Sequence, residues 1–544
     1  MLDEDPFLIY ERIEIELNVM SKRLPSFFII LMLPFPLWVY SQINIEGQYK
    51  KQNRDVIAAI SMGELDQSIK YFEEYLSLVP DDLESMYGLA MAWSGKGDYK
   101  KAMEYVEMAV SKGLPPGRFL AGPRDMFERL ATYKPFLKYM EKVSSVLVHG
   151  PLLGSVTDRS ASFWVRTSRE AKIEIKIIGI GGIFSTVTSS EKDYTAVIKA
   201  TGLSPATTYQ YTVIVDGIEY PGKKIVKTFP SKNAHTKFTI GFGGGAGYTP
   251  QYERMWDTLA THPLSAFLLL GDNVYIDHPE NPIVQQYCYY RRQSREEFRR
   301  FTSEVPVFAI WDDHDFTVND GEGGAAIDSP AWKRPVWELF KNQWPNPAFG
   351  GGDEHPGCWF DFSIGDVDFF MLDCRYYREN PKEVKQPSML GDYQKAWLKE
   401  KLKNSKATFK IIASSVPWAY NTKPGSDDTW DGFPEEREEL FSFLKNNRIE
   451  GVVLFSADRH RSDAWKIQRE GDYDLYEFSS SKLTNMHTHE IMSTSLFGYN
   501  KTCSFGSIEF NTALDDPTIS YAIYSIDNEL IDKITVYKSQ LKSD

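Results

Sequence analysis

Three short apolar runs, each cut off by carboxylate and imidazole residues, constrain this chain more than any other feature. Phe267-Leu-Leu-Leu270 stops at Gly271-Asp272, and Phe308-Ala-Ile-Trp311 stops at Asp312-Asp313-His314-Asp315. Gly451-Val-Val-Leu-Phe455 stops at Ser456-Ala457-Asp458-Arg459-His460. Unbroken apolar runs of this length, bounded by polar residues, read as strands buried on both faces. In an open α/β sheet, polar groups collect beyond the carboxyl ends of such strands, where loops are free to carry them. A single Asp after a strand is ordinarily a helix cap or a turn residue. Three such endings in succession instead predict one sheet edge lined with carboxylate oxygens and imidazole nitrogens. That donor set suits a hard cation and metal-assisted hydrolysis.

At 544 residues the chain exceeds what one core supports, so about two to four domains are expected. The formal net charge of −14 argues against a nucleic-acid binder, which would show clustered basic residues. Four cysteines form no CxxC pair, which argues against a cysteine zinc site and allows at most two disulfides, with no pairing specified.

Lys22 and Arg23 precede an apolar run that is short and broken by Pro34 and Pro36. Residues 20–42 therefore read as a cleaved secretory signal, with Met20 as the start and residues 1–19 as an upstream extension. A short amino-terminal anchor is the alternative. The mature protein is expected to be exported, periplasmic or extracellular, with no stable membrane span after cleavage. Between 53 and 140, Gly63-Glu-Leu-Asp-Gln-Ser-Ile-Lys-Tyr-Phe72 recurs as Gly97-Asp-Tyr-Lys-Lys-Ala-Met-Glu-Tyr-Val106. That offset matches a tetratricopeptide-like helical repeat, with Ser68 and Ala102 at a helix crossing. Two such units cannot bury a core alone, so they serve as a spacer or bind a protein partner. From 146 to 230 the pattern turns to short alternating strands, as in Ala161-Ser-Phe-Trp-Val-Arg-Thr167 and Tyr209-Gln-Tyr-Thr-Val-Ile-Val215. Gly202-Leu-Ser-Pro-Ala-Thr-Thr-Tyr209 resembles the corner of a fibronectin type III sandwich.

Residues 236–540 carry the chemistry. The series GDNVY (271–275), WDDHD (311–315) and SADRH (456–460), with LDCRYY (372–377) and LGDYQKAWL (390–398) between, resembles the alkaline phosphatase D family of metallophosphoesterases. The resemblance implies an α/β (α+β) multidomain chain. A metallophosphoesterase-type β-sandwich flanked by helices would follow an all-β fibronectin-like sandwich and a short α-helical repeat segment. It implies metal ligands at Asp272 (bridging), Tyr275 (a phenolate on ferric iron), Asp313 (in the place of a metal-binding Asn), Asp458 and His460. Asp312 is the runner-up to Asp313. His314 falls at the general acid, and the guanidinium of Arg375 is the candidate phosphate clamp. In an extended segment Asp458 and His460 would face the same way while Arg459 points elsewhere. Iron, with calcium beside it, is what the resemblance implies, while the residue types alone equally allow manganese or zinc.

One departure stands out. The strand Thr236–Phe242 ends in Gly243-Gly-Gly-Ala-Gly247, where the family carries a cysteine ligand and this chain offers no side chain. The run lacks the Gly-Lys-Ser/Thr of a phosphate-binding loop. Arg291, Arg292, Arg295, Arg299 and Arg300 read as a solvated cationic face. The acidic loop 321–328 and the aromatic stretch 332–344 together make a candidate lid, and His487 and His489 sit in a loop. Strands at 473–478, 518–526 and 533–538 are expected to complete a second sheet. The function implied is a secreted metal-dependent phosphoesterase in which a metal-bound hydroxide attacks a phosphomonoester or phosphodiester and His314 protonates the leaving group. Its substrate would be a small phosphate ester or a cell-envelope phosphodiester. The alternative is a degenerate, non-catalytic binding protein of the same fold, in which the glycine run marks a lost ligand.

Overall fold

The computed structural model describes residues 52–543; the expected leader at 20–42 and the extension at 1–19 lie outside them. Four helices come first: α1 (Asn53–Ser61), α2 (Leu65–Leu78), α3 (Leu83–Lys96) and α4 (Tyr99–Ser111). Asp82 and Asp98 cap α3 and α4 by accepting the amides of Ser85 and Lys101. Ser68 and Ala102, the small residues of the two related segments, are fully buried. The segment packs on the rest of the chain through a buried Arg118–Glu84 ion pair (3.0 Å) to which Tyr287 adds its hydroxyl (2.7 Å).

An all-β region follows, with β1 (Leu147–Gly154), β2 (Ser160–Thr167), β3 (Lys172–Ile177), β4 (Phe184–Val187), β5 (Thr195–Thr201), β6 (Thr208–Val215), β7 (Ile218–Glu219) and β8 (Lys224–Lys227). One sheet runs β1-β2-β5, and the other runs β4-β3-β6-β7 with β8 also on β6. Leu203 is buried beneath the corner, and the Ser204 amide donates to the Tyr209 hydroxyl (2.9 Å).

The remaining strands are β9 (Lys237–Gly243), β10 (Phe267–Leu270), β11 (Val307–Ile310), β12 (Phe360–Ile364), β13 (Val367–Met371), β14 (Phe409–Ala413), β15 (Val452–Ser456), β16 (Ser462–Ile467), β17 (Leu475–Ser480), β18 (Phe497–Tyr499), β19 (Ser504–Asn511), β20 (Thr518–Ser525) and β21 (Leu530–Tyr537). They form a six-stranded sheet, β11-β10-β9-β19-β20-β21, and a seven-stranded sheet, β12-β13-β14-β15-β17-β16-β18. Rings from both sheets interleave between them: Phe242 stacks on Phe455 (4.8 Å), Phe478 on Tyr521 (4.7 Å), and Phe369 meets Phe510 edge-on (5.8 Å). Each such pair adds about 0.5–1.5 kcal/mol beyond its burial. The late strands do not complete one sheet as expected. β17 joins the seven-stranded sheet, whereas β20 and β21 extend the six-stranded one through β19.

The four cysteines are all buried and unpaired. One expectation from composition is corrected here. The arginine-rich stretch is not a solvated face. On α5 (Pro282–Ser294), Arg291 and Arg292 are buried, Arg291 stacking on Tyr248 (4.6 Å) and Arg292 pairing with Glu253. Of the stretch, Arg300 is the one that projects into solvent, where it pairs with Asp257. Counting charges along the helix missed this because the partners, Glu253 and Asn53, come from distant segments.

Candidate active site

The polar strand ends do not share one sheet edge. β9, β10 and β11 deliver the Gly run, Asp272 and Asp312–Asp315 from one sheet, while β14 and β15 deliver Ser415 and Asp458 from the other. The site therefore lies where the carboxyl ends of two parallel sets face each other. Gly271 lets the loops after the neighbouring strands β10 and β11 pass close to one another. Its φ is +100°, and a Cβ there would lie 2.5 Å from Cβ of Asp312, so only glycine fits.

Asp272, Asp313 and His314 are buried and offer ligand atoms within 4.8 Å of one another. Asp272 Oδ2 accepts the Tyr275 hydroxyl (2.8 Å), and Tyr275 in turn accepts from Asn485 Nδ2 (2.5 Å). Asp313 Oδ2 accepts the Asp320 amide (2.7 Å). The other oxygens, Asp272 Oδ1 and Asp313 Oδ1, are buried with no hydrogen-bond donor among the described residues. Burial pushes the Asp272 carboxyl up to about 7, with Asp313 and Asp312 adding to the rise. Asp313 goes the other way: burial opposes its charge, but His314 and Arg375 outweigh it and hold the group below the usual carboxylate range. A buried carboxylate oxygen without a partner is costly. Two carboxylates that each keep an oxygen free of hydrogen bonds, Asp313 Oδ1 with only the Arg375 guanidinium 3.7 Å away, fit a cation bound by oxygen donors.

His314 Nδ1 is hydrogen-bonded to Asp277 Oδ1 (2.5 Å), which leaves Nε2 as the ring nitrogen available to the cluster. Its ring lies over that of Tyr275, centroids 4.4 Å apart. Asp315 accepts the amides of Asn273 (3.1 Å) and Val274 (2.8 Å) and so holds the β10 loop against the β11 loop. Burial, with Asp272 nearby, pushes its carboxyl well above the usual range.

Asp458 and His460 lie beyond β15, but not in the extended segment expected of them. Both take left-handed backbone, φ +66° and +48°, because the chain must turn from β15 into β16 within five residues. Asp458 consequently pairs with Arg459 instead of leaving it aside, and neither Asp458 nor His460 joins the 4.8 Å cluster. His460 sits beside the glycine run: a Cβ on Gly245 would lie 3.5 Å from its Nδ1. The rings of His487 and His489 come within 5.0 and 5.6 Å of it, centroid to centroid.

The glycine run excludes a side chain sterically at its centre. At Gly245 φ is +65°, and an added Cβ would overlap the Ser481 carbonyl oxygen. The backbone here is stitched on both sides: the Gly244 amide donates to Ser480 (3.0 Å), the Ala246 amide to Asp272 (2.8 Å), and Arg292 donates to the Ala246 carbonyl (2.5 Å).

Arg375 is not presented to the cleft as a clamp would be. It is fully buried, donating from Nε to Asp312 Oδ1 (2.5 Å) and from Nη1 to Asp428 Oδ1 (2.6 Å), and lies 3.7 Å from Asp313 Oδ1. Asp312 also accepts the Ser415 hydroxyl (2.7 Å) and caps the short helix Asp313–Phe316, so its position serves the framework. The acidic loop 321–328 is tethered by Lys333, at the start of α6 (Lys333–Lys341), which donates to the carbonyls of Gly324 (2.9 Å) and Ala326 (2.5 Å).

Three residues of the site carry no sequence signal that singled them out: Asp277, Asn485 and Arg54, whose Nη1 donates to the Tyr275 carbonyl (3.0 Å). Asp277 lay two residues beyond Tyr275, and its left-handed backbone, φ +53°, aims its side chain back at His314.

Comparison with known proteins gives a consistent set of likenesses. The profile of the PhoD-like phosphatases matches residues 240–512, and that of a domain of unknown function matches 144–232. Alkaline phosphatase D of Bacillus subtilis (strain 168) is 25% identical over 332 residues, covering 53% of this chain and 56% of the relative, so the match spans little more than half of that protein's length. A solved structure of PhoD superposes with a TM-score of 0.62 at 16% identity, covering 74% of this chain and 92% of that one. Purple acid phosphatase PPD1 from yellow lupin (Lupinus luteus) seeds follows at a TM-score of 0.53 and 12% identity, covering 73% and 76%.

Proposed function

The chain belongs to the PhoD-like phosphatase family, and on that premise we propose that it is a metal-dependent phosphoesterase acting on phosphomonoesters or phosphodiesters. The observation that carries this is the buried cluster of Asp272, Asp313 and His314, in which Asp272 Oδ1 and Asp313 Oδ1 accept no hydrogen bond among the described residues. Asp272, Tyr275 and Asp313 would hold the cation; Asp458, paired with Arg459, and His460, beside the glycine run, stand outside that cluster and would be its ligands only after moving. Iron with calcium is our first choice, and the donors also suit manganese or zinc. A bound cation supplies Lewis acidity and an activated water. His314 presents Nε2 to the cleft and protonates the departing alkoxide, a role worth roughly 10²–10⁴ in rate. Arg375 keeps Asp312 in place and Asp313 charged. Substrate reaches the site as a small phosphate ester or a cell-envelope phosphodiester after export. Among the described residues no helix is long and apolar enough to cross a membrane.

A panel of aryl monoesters, aryl diesters and phospholipids, assayed with each cation added, tests this. Hydrolysis that requires a cation, and that His314→Ala reduces on a poor leaving group without loss of bound metal, is the expected result. Cation-independent hydrolysis, or metal lost in proportion to activity in His314→Ala, would overturn the assignment.

A further inference from the structure

The helical segment reaches further into the site than a spacer would. α1 seats along the loop that follows Tyr275. Asn53 accepts from Tyr287 and from Arg291 Nη1 (3.2 Å), Asp55 Oδ1 lies 3.2 Å from His278 Nε2, and Ser61 Oγ accepts from Asn281 Nδ2 (2.9 Å). At the centre of this seat is Arg54. Its guanidinium grips the loop twice, donating from Nη1 to the Tyr275 carbonyl (3.0 Å) and pairing through Nη2 with Asp277 Oδ2. Asp277 divides its oxygens: Oδ2 goes to Arg54, and Oδ1 goes to His314 Nδ1 (2.5 Å). The Ile276 amide donates to the His314 carbonyl (2.9 Å), so the same loop also holds the histidine's backbone. The Arg54 side chain is 4% exposed and that of Asp277 is 15% exposed.

We propose that Arg54 is a positioning residue for the phosphoester reaction: it fixes Asp277, and through it the imidazole of His314, with Nε2 aimed into the cleft. This rests on His314 acting as the general acid. A guanidinium fork suits the task because two donors at a fixed angle hold a carbonyl and a carboxylate at once, which an ammonium cannot do with the same geometry. Without it, the Asp277 carboxylate is free to rotate, and the ring it steers loses its registration with the leaving-group oxygen. Misplacement of a reacting group by about 1 Å costs on the order of 10²-fold. Arg54 lies outside residues 240–512, so the helical segment supplies the site with a part that the family profile does not contain.

The experiment compares full-length wild type with Arg54→Met, Arg54→Gln, Arg54→Lys, Asp55→Ala and His314→Ala. Each is loaded with the activating cation and assayed on phenyl and 4-nitrophenyl phosphate, as monoesters and as methyl diesters. Arg54→Met should lower kcat on the phenyl ester by about 10- to 100-fold. The 4-nitrophenyl ester should suffer several-fold less, and KM should stay within about twofold, because only the poor leaving group needs the proton. Arg54→Lys should recover part of the phenyl-ester rate. Asp55→Ala, which loosens the same helix without touching Asp277, should lower the melting temperature and leave the phenyl-to-nitrophenyl ratio at the wild-type value. Should Arg54→Met fail to fold, Arg54→Gln, which keeps a donor for the Tyr275 carbonyl, should show the same shift in ratio. An unchanged ratio in Arg54→Met or Arg54→Gln, or an equal shift in Asp55→Ala, overturns the proposal. If His314→Ala itself shows no leaving-group dependence, the general-acid reading falls first. If it does while the Arg54 variants do not, the fault lies in the role given to Arg54.

Discussion

The loops after β9 and β11 leave the same sheet with only β10 between them, yet they are built from opposite materials. Beyond β9 come three glycines and an alanine, and the contacts are made by backbone: Gly244, Gly245 and Ala246 bond to 480–484, to Asp272 and to Arg292. Beyond β11 come three carboxylates and a histidine, and the contacts are made by side chains. The first loop ties the two sheets together at their carboxyl ends, and that close approach excludes a ligand. The second is also held to the facing sheet, by Ser415 and Arg375 on Asp312, yet it keeps Asp313 and His314 clustered with Asp272. A run that admits no side chain and a cluster made of side chains thus stand two strands apart on one sheet.

The comparison is broken most directly at Asp272. Asp272→Asn should lose at least about 10²–10³-fold in turnover together with bound cation, while the melting temperature measured without cation holds or rises, because a buried acid has been replaced by a neutral amide. A cation-free melting temperature that collapses would make Asp272 part of the framework and erase the contrast with the glycine run. Next in size is Gly245→Ala. Positive φ and overlap with the Ser481 carbonyl should cost about 3 kcal/mol by denaturant unfolding, with little change in kcat for the folded fraction. Gly245→Cys should behave alike and should not tighten cation binding. A stable but inactive alanine variant would show that the run is chemical after all.

A smaller effect separates the loops by pH. In the cation-free protein the Asp272 carboxyl, at about 7, binds its proton more tightly than the unfolded chain does, where the value is about 4. Stability should therefore fall as pH rises from about 4 through 7. Chelation should lower the melting temperature by several degrees at pH 8 and by less at pH 5. A chelation effect independent of pH would locate the cation elsewhere. The smallest change is expected from Tyr275→Phe, since Tyr275 touches both loops. Losing the bond to Asp272 and stranding Asn485 should cost about 1–2 kcal/mol, and any colour of the iron-loaded protein should bleach. An unbleached, iron-coloured variant would remove Tyr275 from the cation.

Much of this was legible in the sequence because strand ends are local. The apolar-to-acidic boundaries at Leu270, Trp311 and Ser456 marked β10, β11 and β15, and Asp272, Asp313 and His314 do converge. What was not legible depended on partners far along the chain. Arg291 and Arg292 looked solvated because nothing nearby announces Asn53 or Glu253. Arg375 looked available because Asp428 lies in a separate loop. The turn geometry at Asp458 and His460 was hidden for another reason: period-two reasoning holds only inside a strand, and β15 had already ended.

The pairing of Arg54 with Asp277 joins positions 223 residues apart. Such a contact forms only after a long loop has closed, and it contributes nothing until both ends are in place. During synthesis α1 therefore waits, its seat unmade, until the strands around β10 and β11 have assembled. The geometry around His314 belongs to the last stage of folding, and a chain returning from denaturant should regain its helices and sheets before it regains a competent site.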